Sequence, residues 1–352
     1  MTGLLADFLG PLLTDQAVLD LIGTTVELQA MLSFEIALAE AEAEWGLIGE
    51  DAAAHIVSRS HSFQPDLPRL AEATLRDGVV VADFVRQLKA HVDAPHNEHV
   101  HFGATSQDVI DTALAMKLRA VFDLFDQRLK AILVVLDSLN ADFGQSTLMG
   151  RTRMQAAIAI KGADRIAVWR GLVERAHVAL GPVRSHMLIV SLAGPAGTSE
   201  KFGEKIDNIR HSLAGSLGLS VPDYVPHAAR DRIAALGNWL SQVTGALGKI
   251  GQDIALMAQN EIGEIALEGS GGSSAMAHKQ NPVRAEVLVS LARFNAVQIS
   301  GLHQALVHEQ ERSGAAWTLE WLILPQMLNA TGTALLHAQV LLDQVKRIGK
   351  AG

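Results

Sequence analysis

From Ser106 to Gly144 the sequence carries apolar residues at Ile110, Leu114, Leu118, Val121, Phe125, Leu129, Ile132, Leu136 and Leu139, always three or four positions apart, with no proline and no internal glycine. Steps of three and four keep one face of an α-helix apolar. At 3.6 residues per turn the run makes about ten turns, roughly three times the mean helix length. A helix of that length has to be one rod of a bundle. A second run over 228–267 places Ile233, Leu236, Leu240, Val243, Leu247, Ile250, Ile254 and Met257 in the same rhythm, and it contains Gly237, Gly245, Gly248 and Gly251. Each glycine costs about 0.8–1 kcal/mol relative to alanine inside a helix, so the four together predict close approach by a neighbouring helix.

Shorter helices are expected around these two. Thr24 with Glu27 reads as a capping box opening a helix that stops near Gly46. Pro65 and Pro68 precede another, which Gly78 ends. Further helices are predicted over 155–180, 199–217, 282–312 and 316–347, and no stretch alternates as a strand would. The expected fold class is therefore all-α, a long central helical bundle with a smaller N-terminal helical domain. The turn-rich segment "DAPHNEHVHFGAT" (93–105) marks the boundary, giving domains at 1–103 and 104–345 and a short tail at 346–352. Helix faces this apolar exceed what one copy can cover, which predicts burial in an oligomer.

Composition narrows the function classes. Hydrophobic residues make up 49% and charged residues 19% of the 352, as in a folded globular protein. A net charge of −9 argues against nucleic acid or an acidic membrane as partner, yet it leaves room for a small anionic substrate held by a local basic cluster. The absence of cysteine excludes disulfides, thiolate metal sites and a cysteine nucleophile. The opening "MTGLLADFLGPLLTDQ" lacks the basic stretch of a signal peptide, and no apolar run nears the ~20 residues of a membrane span. A soluble, cytoplasmic protein is expected.

Three polar loops interrupt the bundle. "HVHFGATSQDVIDTA" (99–113) puts His101 before a glycine turn and Thr105 and Ser106 where the longest helix begins. A helix N-terminus, with unpaired N–H groups and a positive dipole end, is a natural anion seat; Ser106 read simply as a cap is the plainer alternative. His96, His99 and His101 with Glu98 match no usual metal-ligand spacing. "MGRTRMQAA" (149–157) sets Arg151, Thr152, Arg153 and Gln155 at an expected helix start, as a carboxylate clamp or as a solvated basic turn. "GSGGSSAMAHKQNP" (269–282) is not a Walker loop, because Gln280 follows Lys279. It reads as a glycine-hinged loop carrying Ser273, Ser274, Lys279 and Asn281. A serine transfers protons only where charge and N–H dipoles stabilise its alkoxide, and the lysine and glycine-rich backbone would supply both.

In this order and on these helices, "GATSQDVIDTA", "GRTRMQAA" and "GGSSAMAHKQNP" resemble the three signatures of the fumarase/aspartase superfamily, the last of them G-S-S-x-M-P-x-K-x-N-P. Ala277 stands where that signature has proline and Gln280 where arginine is usual. Arg153 stands where the superfamily's lyases keep a catalytic histidine and its cycloisomerases often a tryptophan. The stretches 226–265 and "GAAWTLEWLILPQM" (314–327), with Trp317, Glu320, Trp321, Leu324 and Pro325, are similar to its cycloisomerase branch.

The resemblance implies addition or elimination across a bond beside a carboxylate. In that branch the reaction closes a 3-carboxy- or other 3-substituted cis,cis-muconate, a small di- or tricarboxylate from aromatic breakdown, to its γ-lactone. An enediolate forms on the way, and neither cofactor nor metal takes part. It implies Ser273 as the proton-transfer residue, and Lys279 and Asn281 as stabilisers of the enediolate. His101, Thr105 and Ser106 would hold a second carboxylate, and Thr152, Arg153, Gln155 and Ser274 would line the rest of the site. It implies a homotetramer whose active sites draw their loops from different subunits, and a truncated C-terminal domain. A C–N lyase releasing fumarate is the alternative within the superfamily, and an inactive helical scaffold the alternative outside enzymology.

Overall fold

The computed structural model describes residues 7–269 and 281–350. In chain order the helices are α1 (Gly10–Leu13), α2 (Gln16–Ile22), α3 (Thr24–Glu44), α4 (Glu50–Ser60), α5 (Leu67–Asp77), α6 (Val81–Val92) and α7 (Ser106–Phe143). A hairpin of β1 (Thr147–Thr152) and β2 (Gln155–Lys161) follows, then α8 (Gly162–Met187), α9 (Ile206–Leu217), α10 (Asp231–Met257), β3 (Ile265–Leu267), α11 (Val283–Gln304), α12 (Gly314–Asp343) and β4 (Val345–Ile348). The all-α bundle is as expected, with two small two-stranded sheets added to it.

α7 runs for 38 residues, about 57 Å at 1.5 Å per residue. Its start is fixed by a capping box in which Thr105 accepts from the N3 backbone and Asp108 accepts from the Thr105 N–H at 3.0 Å. The cap is thus Thr105, with Ser106 the first helical residue. Of the stripe predicted on α7, every residue is buried except the half-buried Leu114. The α10 stripe is buried throughout.

Three of the four α10 glycines do meet a neighbour. A Cβ added at Gly251 would lie 2.6 Å from the Ala285 carbonyl oxygen, and one at Gly248 2.6 Å from Ala292 Cβ, both on α11. At Gly237 it would meet Leu302, whereas at Gly245 it would meet nothing. Small residues here let α10 and α11 approach backbone to backbone.

Two buried cores result. One fills the bundle of α7, α8, α10, α11 and α12 and also takes in Val18 of α2 and Val345 and Ile348 of β4. The other joins α3 to α6 with α9, the start of α7 and Trp317 of α12. Among the described residues one stretch, Gln16–Glu44, has the length and hydropathy of a membrane span. It breaks at Gly23 into α2 and α3, and α3 packs on α4, α7 and α9 as a core helix does.

Several boundaries differ from the sequence reading. Residues 155–161, expected to open a helix, form β2, antiparallel to β1 with Leu148 opposite Ile160 and Thr152 opposite Gln155. The next helix begins at Gly162, where Asp164 accepts from the Lys161 N–H at 2.8 Å, and it continues through Pro182 to Met187. Burial of Leu180 and Met187 on either side offsets the cost of the internal proline, about 3 kcal/mol. α3 is capped by Gly23, so Thr24 and Glu27 form no capping box. α10 ends at Met257, and Ile265–Leu267 pairs instead with Val345–Ile348.

Candidate active site

The first group of site residues stands at the start of α7. His101 has φ 60 and Gly103 φ 70, and a Cβ at Gly103 would strike the Phe202 ring at 2.6 Å. Only glycine fits that turn. The loop is held by Asp108, fully buried, which accepts from the N–H groups of Thr105 (3.0 Å), Ala193 (2.9 Å) and Gly194 (3.0 Å) and from the Ser191 hydroxyl (3.3 Å). The Nε2 of His227 lies 2.7 Å from the same carboxylate. Thr105 and Ser106 sit half-buried at the helix N-terminus, and the ring of His101 turns its Nδ1 to Glu35 Oε1 at 2.6 Å.

One turn further along α7, Asp111 pairs with Arg230 at 2.5 and 3.2 Å, and Arg230 also binds Glu320 at 2.9 and 2.5 Å. Burial opposes the charge on Asp111, yet Arg230 and Arg232 hold its carboxyl below the usual range. This cluster, with Trp317 and Trp321 packed at 4.7 Å between ring centroids, their planes tilted by 52°, lines a crevice of about 840 Å³ between the N-terminal helices and α12. The crevice also holds Lys117, paired with Glu27 and lowered by burial to about 8. The three histidines of the 96–101 segment face different partners: His96 packs against His55 with the rings tilted, His99 lies 3.8 Å from Glu98, and His101 faces Glu35.

The second group stands at the other end of α7. Thr152, Arg153 and Gln155 form the exposed tip of the β1–β2 hairpin. Arg153 (φ 49) and Met154 (φ 68) occupy its two turn positions in the left-handed region, which glycine or asparagine would fill with less strain. Arg151, facing back from the tip, donates to Glu264 Oε2 at 2.8 Å, while the Met149 N–H donates to Oε1 at 3.0 Å. Glu264 is buried, and its carbonyl accepts from the Gly349 N–H at 2.8 Å. Hairpin, β3 and β4 are thereby tied together where the glycine-rich loop departs. Asn281 is half-buried beside Arg284 and His337 in a cleft of about 370 Å³. Ser273, Ser274 and Lys279 lie outside the described residues.

Within one chain, then, His101, Thr105 and Ser106 gather at one end of α7 and Thr152, Arg153, Gln155 and Asn281 at the other. They are separated by a helix of about 57 Å. Sequence reasoning missed Glu35, Glu42 and Asp108. The signal for the first two was present, since Met31, Phe34, Glu35, Leu38 and Glu42 follow the spacing of a buried stripe on α3.

Residues 17–301 match a family model described as lyase, and the chain belongs to this lyase family. Over 322 residues it is 36% identical to a 3-carboxy-cis,cis-muconate cycloisomerase of Pseudomonas aeruginosa, covering 90% of this chain and 70% of that protein. It is 34% identical to a nitrosuccinate lyase of Streptomyces davaonensis over 87% of this chain and 68% of that one. Among solved structures it is similar to a 3-carboxy-cis,cis-muconate lactonizing enzyme from Pseudomonas putida, with a TM-score of 0.91, 33% identity, and coverage of 97% of this chain and 78% of that chain.

Proposed function

We propose that this protein is a cycloisomerase that closes 3-carboxy-cis,cis-muconate, or a 3-substituted analogue such as the 3-sulfo compound, to its γ-lactone. One carboxylate of the substrate adds to a double bond of the same molecule, forming the ring C–O bond. The π electrons move toward the neighbouring carboxylate as an enediolate, and a single proton is then added at carbon. No bond to a leaving group breaks and no electrons are gained or lost, so the reaction needs no electron carrier. His101, Thr105 and Ser106 hold one carboxylate at the N-terminus of α7, where helix dipole and N–H groups favour negative charge. Lys279 and Asn281 stabilise the enediolate, Ser273 delivers the proton, and Thr152, Arg153, Gln155 and Ser274 surround the remaining substituent. Because His101, Thr105 and Ser106 stand at one end of α7 and the β1–β2 hairpin and Asn281 at the other, a complete site takes its loops from different copies in a homotetramer, which we place in the cytoplasm. Exposed Val134, Val168, Val178, Val297 and Val340 on the bundle helices support such an assembly.

The observation that carries this reading over a C–N lyase is Arg153 at the hairpin tip, where a lyase of the superfamily would keep its histidine. The full chain mixed with 3-carboxy-cis,cis-muconate is expected to bleach the diene absorbance. Ser273→Ala is expected to lower turnover by about 10²–10³. A flat trace for the unaltered protein, with fumarate released from adenylosuccinate, would replace the cycloisomerase by the lyase.

A further inference from the structure

Under His101 lies an acidic floor that the chemistry above does not use. Glu35 and Glu42, 2% and 0% exposed, sit two helical turns apart on the buried stripe of α3. Glu35 Oε1 meets His101 Nδ1 at 2.6 Å, while Glu35 Oε2 and both oxygens of Glu42 have no hydrogen-bond partner. The His101 side chain is 15% exposed, and among the described residues its ring makes no other hydrogen bond. The charged groups that bear on it are Glu35 from α3, Asp108 from α7 and Lys89 from α6. Asp108 is committed to the loop backbone and His227, so among the described residues Glu35 is the carboxylate hydrogen-bonded to the ring.

We propose that Glu35 is a positioning residue of the candidate site: it grips His101 by Nδ1 and presents Nε2 outward to the substrate carboxylate. This rests on His101 acting as a carboxylate-binding group. A carboxyl buried without a hydrogen-bond partner favours its neutral form, and burial, with the charge of Glu35 adding to it, pushes Glu42 up to about 9. For His101, burial works against the cation, but the charge and hydrogen bond of Glu35 outweigh it and raise the ring above its ordinary 6.5. A cationic ring gives the charge-assisted bond to an anion that a neutral one cannot. The left-handed backbone at His101 is the kind of strain that persists where surrounding contacts over-determine a functional side chain.

The test labels the histidines of the full-length protein with 13C and 15N and follows His101 by NMR, without substrate, from about pH 5 to about pH 9. His101→Gln assigns the resonance. In the unaltered protein the midpoint is expected above 6.5, with Nδ1 protonated. Glu35→Gln is expected to move it below 6.5, and Glu42→Gln, which replaces one neutral group by another, to leave it unmoved. With 3-carboxy-cis,cis-muconate, at a pH between the two measured midpoints, Glu35→Gln is expected to raise KM about 10–100-fold. That loss should recover as pH falls below the new midpoint, a rescue that a merely structural role would not give. An unmoved midpoint in Glu35→Gln, or an equal shift in Glu42→Gln, overturns the assignment. Should Glu35→Gln not fold, a midpoint below 6.5 in the unaltered protein decides against it alone. The titration needs no turnover, so a shifted midpoint in a protein inert toward the muconate would sink the cycloisomerase and leave the His101–Glu35 pair standing.

Discussion

Glu42 makes stability depend on pH in a direction unusual for a carboxylate. Its folded value of about 9 lies above the ordinary 4.5, so the folded protein keeps a proton that the unfolded chain gives up. The contribution is fully present below pH 4.5 and lost as pH rises toward 9, amounting to roughly 3 kcal/mol by pH 7 at 1.36 kcal/mol per unit. His101 acts in the same sense, since a raised histidine stabilises most below 6.5 and loses that as pH rises through its folded value. Glu42→Gln is expected to raise the thermal midpoint at pH 8 and to flatten the fall in stability between pH 5 and 8. Parallel slopes for the two proteins would show that Glu42 titrates as an ordinary surface acid. This was only partly legible at the residue level: Glu35 and Glu42 fall on the apolar spacing of α3, yet a glutamate in a helix reads as a solvent-facing residue until the fold buries it. His101 and Glu35, moreover, stand 66 positions apart.

The elements were read best where packing leaves the strongest trace in the sequence. α7 and α10 each bury a continuous stripe, and their limits follow from caps and from the last apolar turn. The α10 glycines sort by environment. Gly251→Ala is expected to lower stability by about 1–3 kcal/mol through overpacking against α11, although alanine is the better helix former. Gly245→Ala, on an open face, is expected to gain up to about 1 kcal/mol. Chemical denaturation of both variants checks the pair, and the same sign for both would remove close approach as the reason for the glycines. The β1–β2 hairpin was illegible for a physical reason. β2 is exposed along almost its whole length, so no alternation of buried and open positions is imprinted on it, and its alanines imitate a helix start. β3 and β4 are too short to show a period, and each is a strand only because the other lies beside it.

At the scale of the whole molecule, the resemblance located the three loops, while their relation in space came only from the fold. The sequence puts "GATSQD" and "GRTRMQ" some forty residues apart, and the helix between them turns that interval into the full length of the bundle. The length of α7 has a genetic consequence under the proposed assembly. A defect in His101 and a defect in Ser273 fall on different loops of the proposed site, and if those loops come from different copies, some sites in a mixed tetramer receive neither. Two alleles, His101→Ala and Ser273→Ala, each inactive alone, are expected to restore part of the activity when co-expressed, measured as diene loss in the purified mixed protein. If they fail to complement, each site is built by a single chain. If they succeed, a cell carrying two different damaged copies of this gene keeps a working enzyme that neither copy encodes.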